Sequence, residues 1–307
     1  MKTRLFEGSN IITNHLLSVV LCMVFLLSAC GQYSSVNRFP ISICQNDKQG
    51  YIDKTGKIVI DPQFDYAGDF SEGLAHVQVG DEWGYIDKIG KIVINPQFDY
   101  ADDFSEGLVH VQVGDEWGYI DKTGKIVINP QFALADDFSE GLARVQVGDE
   151  WGYIDKTGKI VINPQFDYAS DFSGGLAAVY FGDEWGYIDK TGKIVINPQF
   201  ALADDFSEGL AAVYFGDEWG YIDKTGKIVI NPQFALADDF SEGLAGVMDA
   251  GGQWGYINKT GKIVIASQLL AYADGFSEGL ARVSTFVDNT VYINKEGNYI
   301  WNPAPCQ

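Results

Sequence analysis

The stretch Trp151-Gly152-Tyr153-Ile154-Asp155-Lys156-Thr157-Gly158-Lys159-Ile160-Val161-Ile162-Asn163-Pro164-Gln165-Phe166 governs the architecture, because the chain repeats it. Trp83, Trp117, Trp151, Trp185 and Trp219 stand 34 residues apart, and Trp254 follows after 35. A unit without the Trp precedes them at Gln49-Gly50-Tyr51-Ile52-Asp53. Another follows at Tyr292-Ile293-Asn294-Lys295-Glu296-Gly297, making eight copies. A fixed period of this length marks a stacked repeat architecture, in which one unit cannot bury its own faces.

Each unit reads as β-structure. Along Leu142 to Val147, Ala143, Val145 and Val147 alternate with Arg144 and Gln146, the period of a strand. Gly148-Asp149-Glu150 is a turn, and Trp151 to Asp155 is a second strand rich in aromatic and β-branched residues. Lys156-Thr157-Gly158 closes a hairpin, and Lys159 to Ile162 is a third strand. Asn163-Pro164 is expected to stop that strand, since proline donates no ladder hydrogen bond. The unit is therefore expected to be a three-stranded antiparallel meander. A short fourth strand near Phe166-Asp167-Tyr168, or a helical turn, fills the remainder. Ile160-Val161-Ile162, apolar on both sides, is expected to pack against neighbours fore and aft. The Trp row (Trp83, Trp117, Trp151, Trp185, Trp219, Trp254) reads as the packing device between units. The Gly after each Trp leaves room for a neighbouring backbone or ring.

These residues resemble the WG (KWG) repeat family, bacterial repeats named for the Trp-Gly pair. The resemblance covers residues 41 to 303. It implies tandem β-structure, often in a surface or envelope setting, and no defined reaction. The first and last units depart from the pattern by lacking the Trp.

The N-terminus is a targeting segment. Lys2 and Arg4 precede the apolar run Leu16 to Leu27, which is short for a membrane span. Leu27-Ser28-Ala29-Cys30 resembles the lipobox of bacterial lipoproteins, in which cleavage precedes a lipidated Cys. On that reading residues 1–29 are the signal peptide, 30–40 a tether, and 41–307 a repeat domain of eight units of about 34 residues. The mature chain would be extracytoplasmic and lipid-anchored at Cys30. By resemblance to lipoprotein sorting, Gly31 in place of Asp directs it to the outer membrane of a double-membraned cell.

The fold class is all-β, with two ways to stack the units. One is a β-propeller-like ring, which the sequence favours; the other is an open β-solenoid or superhelix. The run Val147 to Val161 looks like the outer strands of quinoprotein-type propeller blades, although 34 residues is short against the roughly 40 to 50 of common blades. Removal of the leader and lipidation of Cys30 leave Cys44 and Cys306 as a candidate disulfide in an oxidising compartment. Their Cα atoms must approach within about 7 Å. A ring allows that, whereas an open stack separates them by on the order of 70 Å at about 10 Å per sheet.

With 46% hydrophobic and 14% aromatic residues the chain can bury a core. The net charge of -21 repels phosphates and sets nucleic acid aside as a partner. No nucleophile elbow, P-loop, dinucleotide fingerprint or zincin helix is present, so no enzyme activity, cofactor or metal centre is expected. Paired carboxylates such as Asp115-Glu116 and Asp136-Asp137 recur unit after unit, which suits turns and solubility. Calcium would find only these, Ser139 and Glu140 in one loop, so divalent-cation binding is a lesser alternative. His76 and His110 occupy equivalent positions in neighbouring units and would make a metal pair only if the fold joined them.

The packing residues are constant while the outward positions of the first strand vary: His76, His110, Arg144, then Ala178 and Ala212, with Tyr180 and Tyr214 two residues beyond. Asp99-Tyr100 likewise alternates with Ala133-Leu134. A variable row on a fixed frame is where a binding surface is written. The expected function is a non-enzymatic envelope lipoprotein presenting His76, His110, Arg144, Tyr180 and Tyr214 to a protein or glycan. The alternative is a structural or assembly component of the envelope.

Overall fold

The computed structural model describes residues 38–42, 48–53, 55–285 and 290–301. Every regular element among them is a β-strand. The leader, Cys30, Cys44 and Cys306 lie outside the described residues.

One unit shows how the sequence folds. Leu142–Val147 pairs antiparallel with Glu150–Asp155, from Val147↔Glu150 to Leu142↔Asp155. The next hairpin is fixed by Asp155, whose Oδ1 accepts the Thr157 N–H at 2.9 Å, the Thr157 hydroxyl at 2.6 Å and the Lys159 N–H at 3.1 Å. Gly158 completes that turn at φ 82°, a left-handed conformation open to glycine.

The third strand runs Ile160–Phe166 straight through Asn163-Pro164, so proline does not stop it as the sequence suggested. It is an edge strand with a bulge, and both settings spare the missing N–H. Trp151 pairs with Phe166 and Tyr153 with Ile162, so Gly152 alone faces the bulged residues 163–165. A Cβ on Gly152 would lie 2.6 Å from both the Ile162 carbonyl oxygen and the Pro164 nitrogen. The glycine of each Trp-Gly pair thus makes room for its own unit's third strand, not for a neighbouring unit.

The segment after Phe166 forms the short strand Tyr168–Ala169, which pairs with Leu176–Phe181 of the next unit. The expected three-stranded meander is therefore four-stranded in five of the sheets, and no helical turn occurs in this stretch. Between short strand and long strand, Ser139 and Leu142 exchange hydrogen bonds across Glu140 and Gly141, whose φ values are 52° and 87°. That is the geometry of a two-residue hairpin turn. At the C-terminal end Ala266-Ser267 replaces Asn-Pro. There the strand Ile263–Ala273 is continuous and fuses two units into one seven-stranded sheet.

The core lies between sheets. In five of seven clusters, Leu, Tyr, Ile and Phe from one unit meet Ala, Phe, Val and Ile from the next, and the two end clusters vary the set. Leu108, Tyr119, Ile128 and Phe132, for example, pack on Ala135, Phe138, Ala143, Val145 and Ile154. Tyr119, fully buried, touches Phe138 at 5.0 Å between ring centroids and donates its hydroxyl to the Asp136 carbonyl at 2.7 Å. Ser139 Oγ donates to the Phe172 carbonyl at 2.8 Å. The Glu140 carboxylate accepts the Gly175 N–H and pairs with Lys190, both at 3.0 Å. Of Ile160-Val161-Ile162, only Ile162 is buried, so the strand does not pack fore and aft as expected.

Every one of these interfaces joins consecutive units. Among the described residues no strand pairing, hydrogen bond or core cluster joins the first sheet to the last. Among the described residues the ring favoured from the sequence is not closed into a barrel, an arrangement consistent with the open solenoid alternative. The physical reason is that the two faces of a unit differ. Such head-to-tail contacts propagate, and they close only when the rotation per unit divides the circle.

Candidate functional site

The first long strand carries a side chain at the centre of its Leu/Tyr face: His76, His110, Arg144, Ala178, Ala212, Gly246 and Arg282 in successive units. The alternation places it opposite the Val/Ile face, as expected, but the side it faces is the next unit and not solvent. His76 and His110 are 9% and 6% exposed. The sequence reading of these positions as outward-facing is corrected accordingly, because the units stack on both faces.

His110 and Arg144 each meet carboxylates from two units. His110 Nδ1 lies 3.1 Å from Asp137 Oδ1 of the next unit, and Nε2 lies 3.8 Å from Asp102 Oδ2 of its own. Burial lowers the His110 pKa, but the hydrogen bond to Asp137 and the charges of Asp102 and Asp136 outweigh it and hold it above the ordinary imidazole value. Arg144 Nε lies 2.8 Å from Asp136 Oδ2 and 3.3 Å from Asp171 Oδ1, with Cζ 5.3 Å from the Trp151 ring centre and 5.6 Å from that of Tyr168. Burial, against the opposing Arg144 charge, raises Asp171 to about 7. In the fifth unit, where the central residue is Ala178, Ser170 Oγ bonds directly to the Asp205 carboxylate. Farther along, Ala212 and Gly246 offer no cation. Burial and mutual repulsion push Asp204 well above the carboxylate range, and Asp238 and Asp239 to about 7.

An aromatic ladder runs beside this row. Tyr66–Trp83, Trp83–Tyr100 and Tyr100–Trp117 have centroids 5.3, 5.6 and 5.6 Å apart, and the ladder resumes as Trp151–Tyr168–Trp185 at 6.0 and 5.5 Å. Between Trp117 and Trp151 the Tyr position holds Leu134. There a cavity of about 390 Å³ opens, lined by the aromatic Tyr100, Trp117, Trp151 and Tyr168, by Leu134 and Ala135, and by the polar Asp102, His110, Gln112, Asp136 and Arg144. The lining combines aromatic and apolar side chains with hydrogen-bond donors and acceptors, the composition of a ligand pocket.

A protein-family model described as "WG containing repeat" matches seven consecutive stretches, residues 50–83, 83–117, 117–151, 151–185, 185–219, 219–251 and 254–285. The chain belongs to the WG-repeat family. No curated protein sequence matches this WG-repeat chain. Among solved structures it is similar to the computationally designed Ika8 protein, with a TM-score of 0.50 and 10% identity over 76% of this chain and 85% of that one. BamB from Moraxella catarrhalis gives a TM-score of 0.47 at 10% identity over 84% and 94%. Hsv2p of Kluyveromyces lactis gives 0.46 at 11% over 77% and 96%. At these identities the first likeness is one of fold alone.

The WG tryptophans expected to pack the units do so unevenly. Trp151, Trp219 and Trp254 are buried, while Trp83, Trp117 and Trp185 are half-buried. The fully buried aromatic of the motif is the Tyr two residues on, with the Phe of the following Phe-Ser. Of the expected surface row, His110 and Arg144 converge on the cavity. His76 lies one junction away, and Tyr180 and Tyr214 pack on Trp185 and Trp219 in later units. The sequence marks Tyr100 as a varying position and Asp136 as a recurring turn carboxylate, while Asp102 and Tyr168 are not among its site candidates. The alternation of Asp99-Tyr100 with Ala133-Leu134 was the visible sign of the gap.

Proposed function

We propose that this chain is a non-enzymatic binding module of the cell envelope that captures a glycan in the cavity between Trp117 and Trp151. The observation that carries the reading is the gap in the aromatic ladder at Leu134, between Trp117 and Trp151, where the cavity is also lined by Asp102, His110, Gln112, Asp136 and Arg144. A pyranose has C–H faces that stack on aromatic rings, and hydroxyls that suit planar carboxylate and guanidinium groups. With a net charge of -21, neutral or amino sugars are favoured over acidic ones. Binding fits better than catalysis, because His110 and Arg144 are each held between carboxylates, and serines such as Ser139 are engaged in joining units.

Lipidation at Cys30 would tether the module to a membrane, the outer one by its Gly31. Among the described residues no helix is long and apolar enough to cross a membrane. Labelling with a radioactive fatty acid, lost in Cys30→Ser, tests the anchor.

Leu134→Tyr tests the site. Tyr100 and Tyr168 already fill this position in neighbouring units, so the fold should accept the substitution while the cavity fills. Chitotetraose and its deacetylated form, followed by tryptophan fluorescence, should bind the parent chain at least about tenfold more tightly than the variant, about 1.4 kcal/mol. Equal binding to both chains, or to neither, sinks the assignment.

A further inference from the structure

One junction before that cavity, we propose that His76, Asp102 and Asp103 form a site for a first-row divalent metal ion of the zinc or manganese class. One ligand atom from each of the three lies within 4.8 Å of the other two, the sole such His-carboxylate group among the described residues. The donors come from successive units. His76 projects from Leu74–Val79, while Asp102 and Asp103 follow the short strand Tyr100–Ala101 of the next sheet.

Each donor is held in place. His76 Nδ1 is 3.0 Å from Asp103 Oδ1. Asp102 Oδ1 accepts the Asp103 backbone N–H at 2.8 Å, which fixes its rotamer, and its Oδ2 also lies 3.8 Å from His110 Nε2. The His76 ring is buried, stacked on Tyr66 at 5.7 Å and 14°, with Trp83 at 5.4 Å. Gly68 supplies the space. The units that follow carry Asp or Ser at this position, and a Cβ at Gly68 would fall 2.0 Å from the His76 ring. The junction is thus shaped around an imidazole.

The donor set selects the ion. One imidazole nitrogen and two carboxylates suit zinc, manganese or iron(II), with water completing the shell, whereas calcium and magnesium prefer oxygen alone. Ligand atoms within 4.8 Å of one another need only small shifts for each to stand about 2.1 Å from a shared ion. Two carboxylates neutralise the ion in a chain that already carries a net charge of -21. The Arg144 junction, by contrast, is already bridged by a guanidinium. The ion would clamp the first Trp-containing unit to the second.

Isothermal titration of the tag-free chain with zinc chloride and manganese chloride tests the site, with magnesium chloride as the contrast. The parent chain should take up one zinc or manganese ion per chain, and magnesium at least tenfold more weakly. His76→Gln and the isosteric Asp103→Asn should each weaken binding at least tenfold, while Asp204→Asn combined with Asp239→Asn leaves it unchanged. Circular dichroism verifies the fold of each variant, and Asp103→Asn carries the test if His76→Gln unfolds. No uptake at 100 micromolar metal, on the order of a weak structural site, overturns the proposal. So does parental affinity in Asp103→Asn, or loss of binding in the Asp204/Asp239 variant, which would mark diffuse accumulation on the acidic row.

Discussion

Gly152 shows how much one residue specifies. Its missing side chain lets the bulged strand at Ile162 and Pro164 cross within 2.6 Å of where a Cβ would stand, and the contacts are backbone, which has little freedom to yield. Gly84, Gly118, Gly186 and Gly220 meet the same two backbone atoms at similar distances. Gly152→Ala should therefore cost about 2–3 kcal/mol of overpacking strain, read as a fall in the urea midpoint. The exposed Gly73, with nothing within 4 Å but φ 96°, should respond to Ala only through its backbone strain. Equal tolerance at Gly152 and at an ordinary exposed strand position would refute the close-approach argument. The Tyr that follows, Tyr153, is the residue that reaches across, donating to the Ser170 carbonyl at 2.6 Å.

A single sheet is an incomplete element. Its short strand comes after the previous unit's third strand, and both of its faces are finished by neighbours. Stability is then a sum over units and interfaces. Removal of residues 202–235, one 34-residue period, joins Ala201 to Leu236 in phase and recreates a native-like interface. That variant should keep its β-type circular dichroism and a cooperative thermal transition. Removal of 17 residues, roughly half a period, puts a Leu/Tyr face where an Ala/Val face belongs and should yield aggregated protein. If both excisions behave alike in size-exclusion chromatography, register between faces is not what holds the stack.

Across the whole molecule the stack gathers carboxylates that are far apart in sequence. Asp204 faces Asp239, Asp205 and Asp238, and Asp238 also faces Asp274, with Ala212 and Gly246 leaving them no cation. Burial raises these groups, Asp238 and Asp239 to about 7, against about 3.9 in an unfolded chain. The folded state therefore holds protons that the unfolded state releases. Their contribution to stability is full below pH of about 4 and is lost as the pH rises through about 7. The loop carboxylates Asp155, Asp189 and Asp223, lowered by their Thr hydrogen bonds, act oppositely and only at more acidic pH. The melting temperature should rise when the pH is lowered from 8 to 5. Asp204→Asn with Asp239→Asn should flatten that slope and raise stability at pH 8. A melting temperature that falls between pH 8 and pH 5 would contradict the assignment.

The sequence by itself determined the repeat, its phase, the hairpins and the all-β class, since turn residues such as Asp155-Lys156-Thr157-Gly158 and strand alternation are local properties. It also marked the variable positions His110, Arg144 and Leu134 that meet at the cavity. Only the tertiary structure decided what those positions face. Alternation tells the two sides of a strand apart but not solvent from a neighbouring sheet, so His76 and His110 read as outward and are buried. The leading role of Tyr153 over Trp151 and the unclosed stack share that cause, whereas the bulge that carries Pro164 inside a strand arises within the unit, against Gly152. The first two depend on the distance and rotation between units, which strand alternation within one 34-residue period does not reveal.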